Sequence, residues 1–192
     1  FNLVESFHDD AELEPAVGLT QNRHHHHDVW KHTLATVDAT PGDPIRRLGA
    51  LLHDVGKIGL PDRILRGEAP LSEADWRLIQ AHPIKGDEIL TPLKVHPRLR
   101  PYVRWHHEKL DGSGYPDGLT EIPLLVQVLS AADMYDALTS RRTYRKAVRP
   151  EEALEALERE VREGRLALEA VRALRSGLRR GASEAEGHVL HL

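Results

Sequence analysis

Residues 122–139, Ile-Pro-Leu-Leu-Val-Gln-Val-Leu-Ser-Ala-Ala-Asp-Met-Tyr-Asp-Ala-Leu-Thr, form the longest apolar-periodic segment of the chain. Leu, Val and Ala recur on nearly every side of a 3.6-residue repeat. The segment therefore predicts a helix buried all round rather than one with a solvent face. Asp133 falls inside it. An unpaired carboxylate there is costly, so a cation or strong donors must meet it. Asp136 lies three residues on, beside the same face. It either bonds a ligand histidine or is capped at the surface.

The flanking sequence is helical too. Upstream, Asp43 can cap a helix that has Pro44 at its first position. Ile45, Leu48 and Leu52 follow at i, i+3 and i+7, and the stripe ends at His53-Asp54, with Gly56 placed to terminate it. An earlier helix is expected over 28–38, stopping before Thr40-Pro41-Gly42. Residues 58–70 hold Pro61, Gly67 and Pro70 and read as a loop. Ser72 and Asp75 then form a capping-box pattern. Helices are expected over 83–90 and 97–107, and an irregular loop over 111–120. Two amphipathic helices, 150–163 and 166–178, follow the long one. With no βαβ alternation the fold class is all-α, a single-domain helical bundle. The expected layout is a partly helical segment over 1–27, the main domain over 28–180 and a fraying tail over 181–192.

The composition narrows the function. Aromatics are 5% of the 192 residues, so Leu, Val, Ile and Ala must fill the core. No apolar run approaches the roughly 20 residues that span a bilayer, and no signal-peptide pattern appears. The expectation is no membrane and a cytoplasmic location. Cysteine is absent, which excludes disulfides and thiolate metal sites. A net charge of −4 argues against nonspecific duplex nucleic-acid binding. Phosphate must then be captured locally, by a few cations or metals.

Thirteen histidines are the outlier. The run His24–His27 is not read as a tag, because Asp28-Val29-Trp30-Lys31-His32 carries it into an amphipathic stretch. A lone histidine on an apolar helix face is usually a hydrogen-bonded core or surface residue. Here His32, His53-Asp54, His82, His106-His107 and Asp133 all fall within or beside helix ends, and seven such groups are hard to explain as solvated surface. Imidazole and carboxylate donors without thiolate suit Mn, Fe, Zn or Ni.

Four ordered segments carry a resemblance. They are His53-Asp54-Val55-Gly56-Lys57-Ile58-Gly59-Leu60-Pro61, His82-Pro83-Ile84-Lys85-Gly86, His106-His107-Glu108-Lys109-Leu110-Asp111-Gly112-Ser113-Gly114-Tyr115-Pro116, and 132–145 from Ala132-Asp133 to Thr143-Tyr144-Arg145. Together the chain resembles the HD-GYP branch of the HD superfamily over roughly 45–165. The resemblance implies an all-helical, metal-dependent phosphodiesterase that hydrolyses cyclic di-GMP with two divalent ions, often iron or manganese. It carries the metal ligands onto His32, His53, Asp54, His82, His106, His107 and Asp133. Asp28 stands where some members have a Glu that binds a third metal, and is one methylene shorter. Lys57 matches a lysine near the scissile phosphate, and Arg142 and Arg145 match basic positions that hold substrate phosphates. Residues 18–34 are instead similar to the HD domain attached to CCA-adding tRNA nucleotidyltransferases, whose catalytic Asp-x-Asp pair this chain lacks.

These residues suggest a mechanism. His32, His53, Asp54 and Asp133 would hold one ion and His82, His106 and His107 the other, with Asp54 as the bridge. Ions held there would activate a water toward phosphorus, and Lys57 would add charge where the transition state gathers it. Lys57 read alone is a solvated lysine at a helix C-terminus. Gly112 and Gly114 permit positive φ and close approach of a ligand, and Tyr115 either stacks on a base or fixes the loop. Three alternatives stand beside this. One is an HD phosphohydrolase for another nucleotide or cyclic phosphate. Another is an inactive module that binds a nucleotide or protein, and the last is a purely structural bundle. The terminal helices also offer a face for a homodimer.

Overall fold

The computed structural model describes residues 44–65, 70–93, 97–140 and 147–189. Among them every regular element is helical, consistent with the expected all-α class. Helix α1 runs Pro44–Leu52, followed by a 3-10 turn, Val55–Gly59. Helices α2 (Asp62–Leu65), α3 (Glu73–Gln80) and α4 (His82–Leu90) come next. A second 3-10 turn, Pro97–Leu99, leads into α5 (Arg100–Trp105). Then come α6 (Leu124–Thr139), α7 (Pro150–Arg162) and α8 (Leu168–Val189).

α6 is the axis. One side packs on α7 and α8 through Val128, Ala131, Ala132, Leu157, Val171 and Leu174. The other meets α1 and α5 through Ala50, Tyr102, Val126 and Leu129. Burial on both sides explains why the segment shows no polar stripe. Leu129, Leu157 and Leu174 are fully buried, and truncating any of them to Ala would cost about 2–5 kcal/mol. Gln127 fastens α6 to the start of α8, donating to Ile122 O (2.9 Å) and accepting from Ala167 N (2.9 Å).

The capping box at α3 forms in both directions. Ser72 Oγ accepts from Asp75 N at 3.2 Å, and Asp75 Oδ2 accepts from Ser72 N at 2.9 Å. Other expectations need correction. The loop expected over 58–70 contains α2, a single turn too short to show periodicity, started by Pro61 O accepting from Ile64 N at 2.9 Å. The helix expected over 97–107 is a 3-10 turn and then α5, which stops at Trp105 and leaves His106-His107 beyond its end. The last helix continues past Leu178 to Val189. Gly56 does not end α1. It lies in the 3-10 turn, where a Cβ would stand 1.9 Å from His82 O and 2.5 Å from Gly86 N. Its missing side chain lets the turn seat on α4 and brings His53-Asp54 beside His82.

Candidate metal centre

His53, His82 and His106 share one local device. Each follows the C-terminus of a helix (α1, α3 and α5), where backbone carbonyls lack helical partners. Each turns its Nδ1 onto the carbonyl three residues earlier: Ala50 O at 2.6 Å, Ile79 O at 2.6 Å and Val103 O at 2.9 Å. A carbonyl only accepts, so Nδ1 carries the proton and Nε2 keeps its lone pair in the neutral ring. The helix ends thus fix both tautomer and aim.

The Nε2 atoms converge on Asp54. Its Oδ1 lies 3.2 Å from His82 Nε2 and 3.8 Å from His106 Nε2. Its Oδ2 lies 3.4 Å from His53 Nε2 and 2.5 Å from Lys57 Nζ. The two oxygens of one carboxylate therefore face two different sets of groups. Asp133, on α6, brings Oδ1 to 3.8 Å from His53 Nε2. His107 completes the cluster, since one donor atom each from Asp54, His82, His106 and His107 all lie within 4.8 Å of one another. Its ring is 4.0 Å from that of His106 and is stacked on Tyr115 at 4.7 Å, the planes 30° apart.

The electrostatics are those of a cation site. Burial, then neighbouring imidazoles led by His107, hold His106 well below the usual imidazole range. Burial pulls His107 down to about 3. Both rings are therefore neutral at pH 7. His82 Nε2 and His106 Nε2 face each other at 3.2 Å with their protons committed to Nδ1, so lone pair meets lone pair. A shared cation relieves that contact and a hydrogen bond does not. Burial opposes charge on Asp54, but Lys57 and then His53 outweigh it and hold its carboxyl well below the usual range. Asp133 is likewise held low against its burial by His53. Burial also opposes charge on His53, yet the two carboxylates lift it to about 10. Two anionic carboxylates beside the neutral rings of His106 and His107 form a donor set that fits divalent metal, and an ion there would take the place of the proton that the carboxylates favour on His53.

The remaining expected residues divide. Lys57 sits in the site, its side chain 30% exposed and its ammonium on Asp54. Gly112 has φ +76°, the left-handed conformation its type permits. Gly114 packs inward instead: a Cβ there would lie 2.4 Å from Lys109 N and 2.5 Å from Glu108 Cα, so the close approach it allows is to the chain itself. Asp136 accepts from Ser140 Oγ at 3.3 Å near the end of α6. His32, Asp28, Arg142 and Arg145 lie outside the described residues, as does the 18–34 stretch. Two contributors were not read from the sequence. Ser130 on α6 donates to His106 O at 2.6 Å, tying that histidine to the helix that carries Asp133. Glu108 is buried beneath the 111–119 loop. A hydroxyl one turn before Asp133 was a visible signal for the first. Nothing local marked the second.

Comparison with known proteins places the chain in a family. A family model described as an HD domain matches residues 12–166. The chain is 40% identical over 152 residues to a protein named 3′3′-cGAMP-specific phosphodiesterase 3 from Vibrio cholerae, covering 78% of this chain and 32% of that protein. It is 38% identical over 118 residues to cyclic di-GMP phosphodiesterase PA4108 from Pseudomonas aeruginosa, covering 58% of this chain and 28% of that one. The chain thus spans about a third of the length of these relatives. Among solved structures, Bd1817, an HDG"Y"P protein from Bdellovibrio bacteriovorus, superposes with a TM-score of 0.62 at 24% identity, over 78% of this chain and 52% of that one, a likeness of fold. With the family match extending across the His53-Asp54 centre and the His106-His107 and Gly-Tyr-Pro segments in order behind it, this chain belongs to the HD-domain family, in its HD-GYP branch.

Proposed function

We propose that the chain is a metal-dependent phosphodiesterase acting on a cyclic dinucleotide, with cyclic di-GMP as the first candidate. The observation that carries this reading is the meeting of His82 and His106 Nε2 lone pairs with Asp54 Oδ1 at 3.2–3.8 Å. Two divalent ions, iron or manganese before zinc or nickel, would be held by His53, Asp54, His82, His106, His107 and Asp133, with His32 as a further ligand and Asp28 a candidate for a third ion. Bound there, such ions would acidify a water toward a pKa of about 7 and offset charge on the phosphoryl oxygens.

The protein's own groups do the rest. The Nδ1–H bonds to Ala50, Ile79 and Val103 hold the imidazoles so that they need not reorganise during turnover. Asp54 faces both sets of ligands, which supports its role as the bridge. Lys57, anchored on Asp54, keeps a positive charge at the rim for the scissile phosphate. Arg142 and Arg145 would hold the remaining phosphate, and Gly112, Gly114 and Tyr115 belong to the loop that walls the site. A catalytic unit over 28–180, a cytoplasmic location and a homodimer through the terminal helices complete the proposal.

A second reading is favoured by the 40% identity over 78% of the chain to the Vibrio cholerae protein, whose name specifies 3′3′-cGAMP. Purified protein should therefore be assayed with manganese or iron against cyclic di-GMP, 3′3′-cGAMP and a 2′,3′-cyclic mononucleotide, with metal content measured in parallel. Turnover of a cyclic dinucleotide that His53→Ala abolishes is expected. Metal-free protein with no turnover of any of the three would leave only a binding module.

A further inference from the structure

Glu108 follows His107 directly, but its side chain turns away from the histidines. It is 5% exposed, and its carboxylate accepts three backbone N–H groups: Asp117 N (2.6 Å) and Gly118 N (3.2 Å) on Oε1, and Leu119 N (2.9 Å) on Oε2. The returning limb of the 111–119 loop is wrapped around this one carboxylate. The outgoing limb lies against the same residue, since Gly114 has room for a hydrogen only over Glu108 Cα and Lys109 N. Tyr115 N donates to His107 O at 3.2 Å, and its ring stacks on His107. Asp117 is fixed from outside by Arg104 (2.7 and 2.8 Å) and Trp105 Nε1 (3.0 Å).

We infer that Glu108 is a positioning residue that acts through Tyr115: by holding the amides of 117–119 it keeps the loop closed and the tyrosine ring seated on His107 as a wall of the substrate site. A carboxylate suits this because both its oxygens accept. A neutral amide offers one oxygen and turns an NH2 toward the remaining N–H. Without the acceptor, three amides lose their partner and the loop is free to lift Tyr115 off His107. The effect should appear as weaker substrate binding, since the wall touches the ligand and not the reacting phosphate. That kinetic consequence rests on the phosphodiesterase reading, whereas the loop-holding role does not.

Two measurements on the metal-loaded full chain test this. The first is residue-resolved amide exchange. In Glu108→Ala, exchange at Asp117, Gly118 and Leu119 should accelerate at least about tenfold while Val128 and Leu129 in α6 stay as in wild type. In Glu108→Gln, retained as the gentler variant in case the alanine form fails to fold, acceleration should be confined to Leu119, the amide facing the new NH2. The second is a kinetic cycle with cyclic di-GMP. Glu108→Ala and Tyr115→Ala should each raise KM about tenfold with kcat within about threefold, and the double variant should be no worse than either alone. Unchanged exchange at 117–119 in both Glu108 variants would overturn the role. Multiplying KM effects would overturn action through Tyr115. If wild type turns over no cyclic dinucleotide, the function reading fails, and the exchange arm still decides the role of Glu108.

Discussion

Two pairs of buried aspartates face opposite kinds of partner. Asp75 and Asp87 have side chains 4% and 8% exposed and meet arginine: Arg63 at 2.5 Å on the first, Arg100 at 2.6 and 2.8 Å on the second. Asp54 and Asp133 are each 17% exposed and meet the Nε2 edges of histidines. The structural carboxylates are thus the more deeply buried pair. Burial alone does not reveal a site. An arginine fork meets both oxygens of Asp87, whereas Asp54 turns Oδ1 to the Nε2 edges of His82 and His106, an arrangement that suits a shared cation better than a hydrogen bond. In the sequence Asp133 stood out for a different reason: it falls inside a helix apolar on nearly every side, whereas Asp75 read as a cap.

The largest test of that contrast exchanges the charge on the histidine side. Asp54→Asn keeps the shape and removes the anion that faces His53, His82 and His106. Metal content should fall and turnover of a cyclic dinucleotide should drop on the order of 10³-fold or more, since each ligand set loses its shared oxygen. Asp87→Asn should leave both within about threefold, because that carboxylate touches no histidine and acts on stability alone. Equal loss in the two variants would erase the distinction between the pairs.

Next in size is Gly56→Ala. The new Cβ would lie 1.9 Å from a backbone oxygen of His82, not from a flexible side chain, so the 3-10 turn and α4 must part. Destabilisation of at least about 1–3 kcal/mol by urea denaturation is expected, together with weakened metal retention as His82 moves from Asp54. Gly164→Ala is the control. That residue also needs its glycine, with φ +72°, but has nothing within 4 Å of the added atom. It should cost about 1 kcal/mol and leave metal binding untouched.

Gly56 also shows how far the sequence can be read. Periodicity and local punctuation found α1, α3, α4, α6, α7 and the first half of α8, because those helices carry apolar patterns and caps written within a few residues. Pairing His with Asp and His with His pointed to the cluster, because the chemistry resides in the residue types. Local reading made Gly56 a helix terminator, when its reason is the carbonyl of His82, far along the chain. It likewise passed over Glu108, whose three partners are backbone amides without side-chain signature. It extended one helix through His106-His107, although the break after Trp105 is what frees His106 to reach Val103 O. Long-range contacts with backbone leave no pattern in residue type.

The arginine-bound pair predicts a pH effect of smaller size. Hydrogen bonding and charge from Arg100, opposed by burial, hold Asp87 below its ordinary value of 3.8. A carboxyl whose folded pKa is depressed binds fewer protons in the native state than in the unfolded one between the two values. Its stabilisation is therefore complete above about pH 4–5 and is lost as pH falls through the folded pKa. In chelator-treated protein, both urea midpoints should fall below about pH 6.5, because the unfolded chain takes up protons that buried His106 and His107 do not. The gap between wild type and Asp87→Asn should hold steady from pH 7 to about 5 and then narrow. Asp87→Asn should start lower, by about 1–3 kcal/mol, and decline less steeply below pH 4. Parallel acid limbs in the two proteins would mean that the arginine fork does not set the acid sensitivity of the fold.

Smallest is Ser72→Ala, which separates the two duties of Asp75. That carboxylate accepts from Arg63 and also closes the capping box of α3 through Ser72 N and Ser72 Oγ (2.7 Å). Removing the hydroxyl deletes the cap bond to Asp75 N and one donor to the carboxylate, but leaves Arg63 and the backbone N–H in place. The expected cost is about 0.5–2 kcal/mol, read as a lower urea midpoint at unchanged slope. Metal content and turnover should not move, because the contact of α3 with the centre, the carbonyl of Ile79 on His82 Nδ1, lies at the far end of the helix. A Ser72→Ala variant that lost metal would show that strain at the start of α3 travels along the helix to His82, and that structural and chemical aspartates are less separate than their partners suggest.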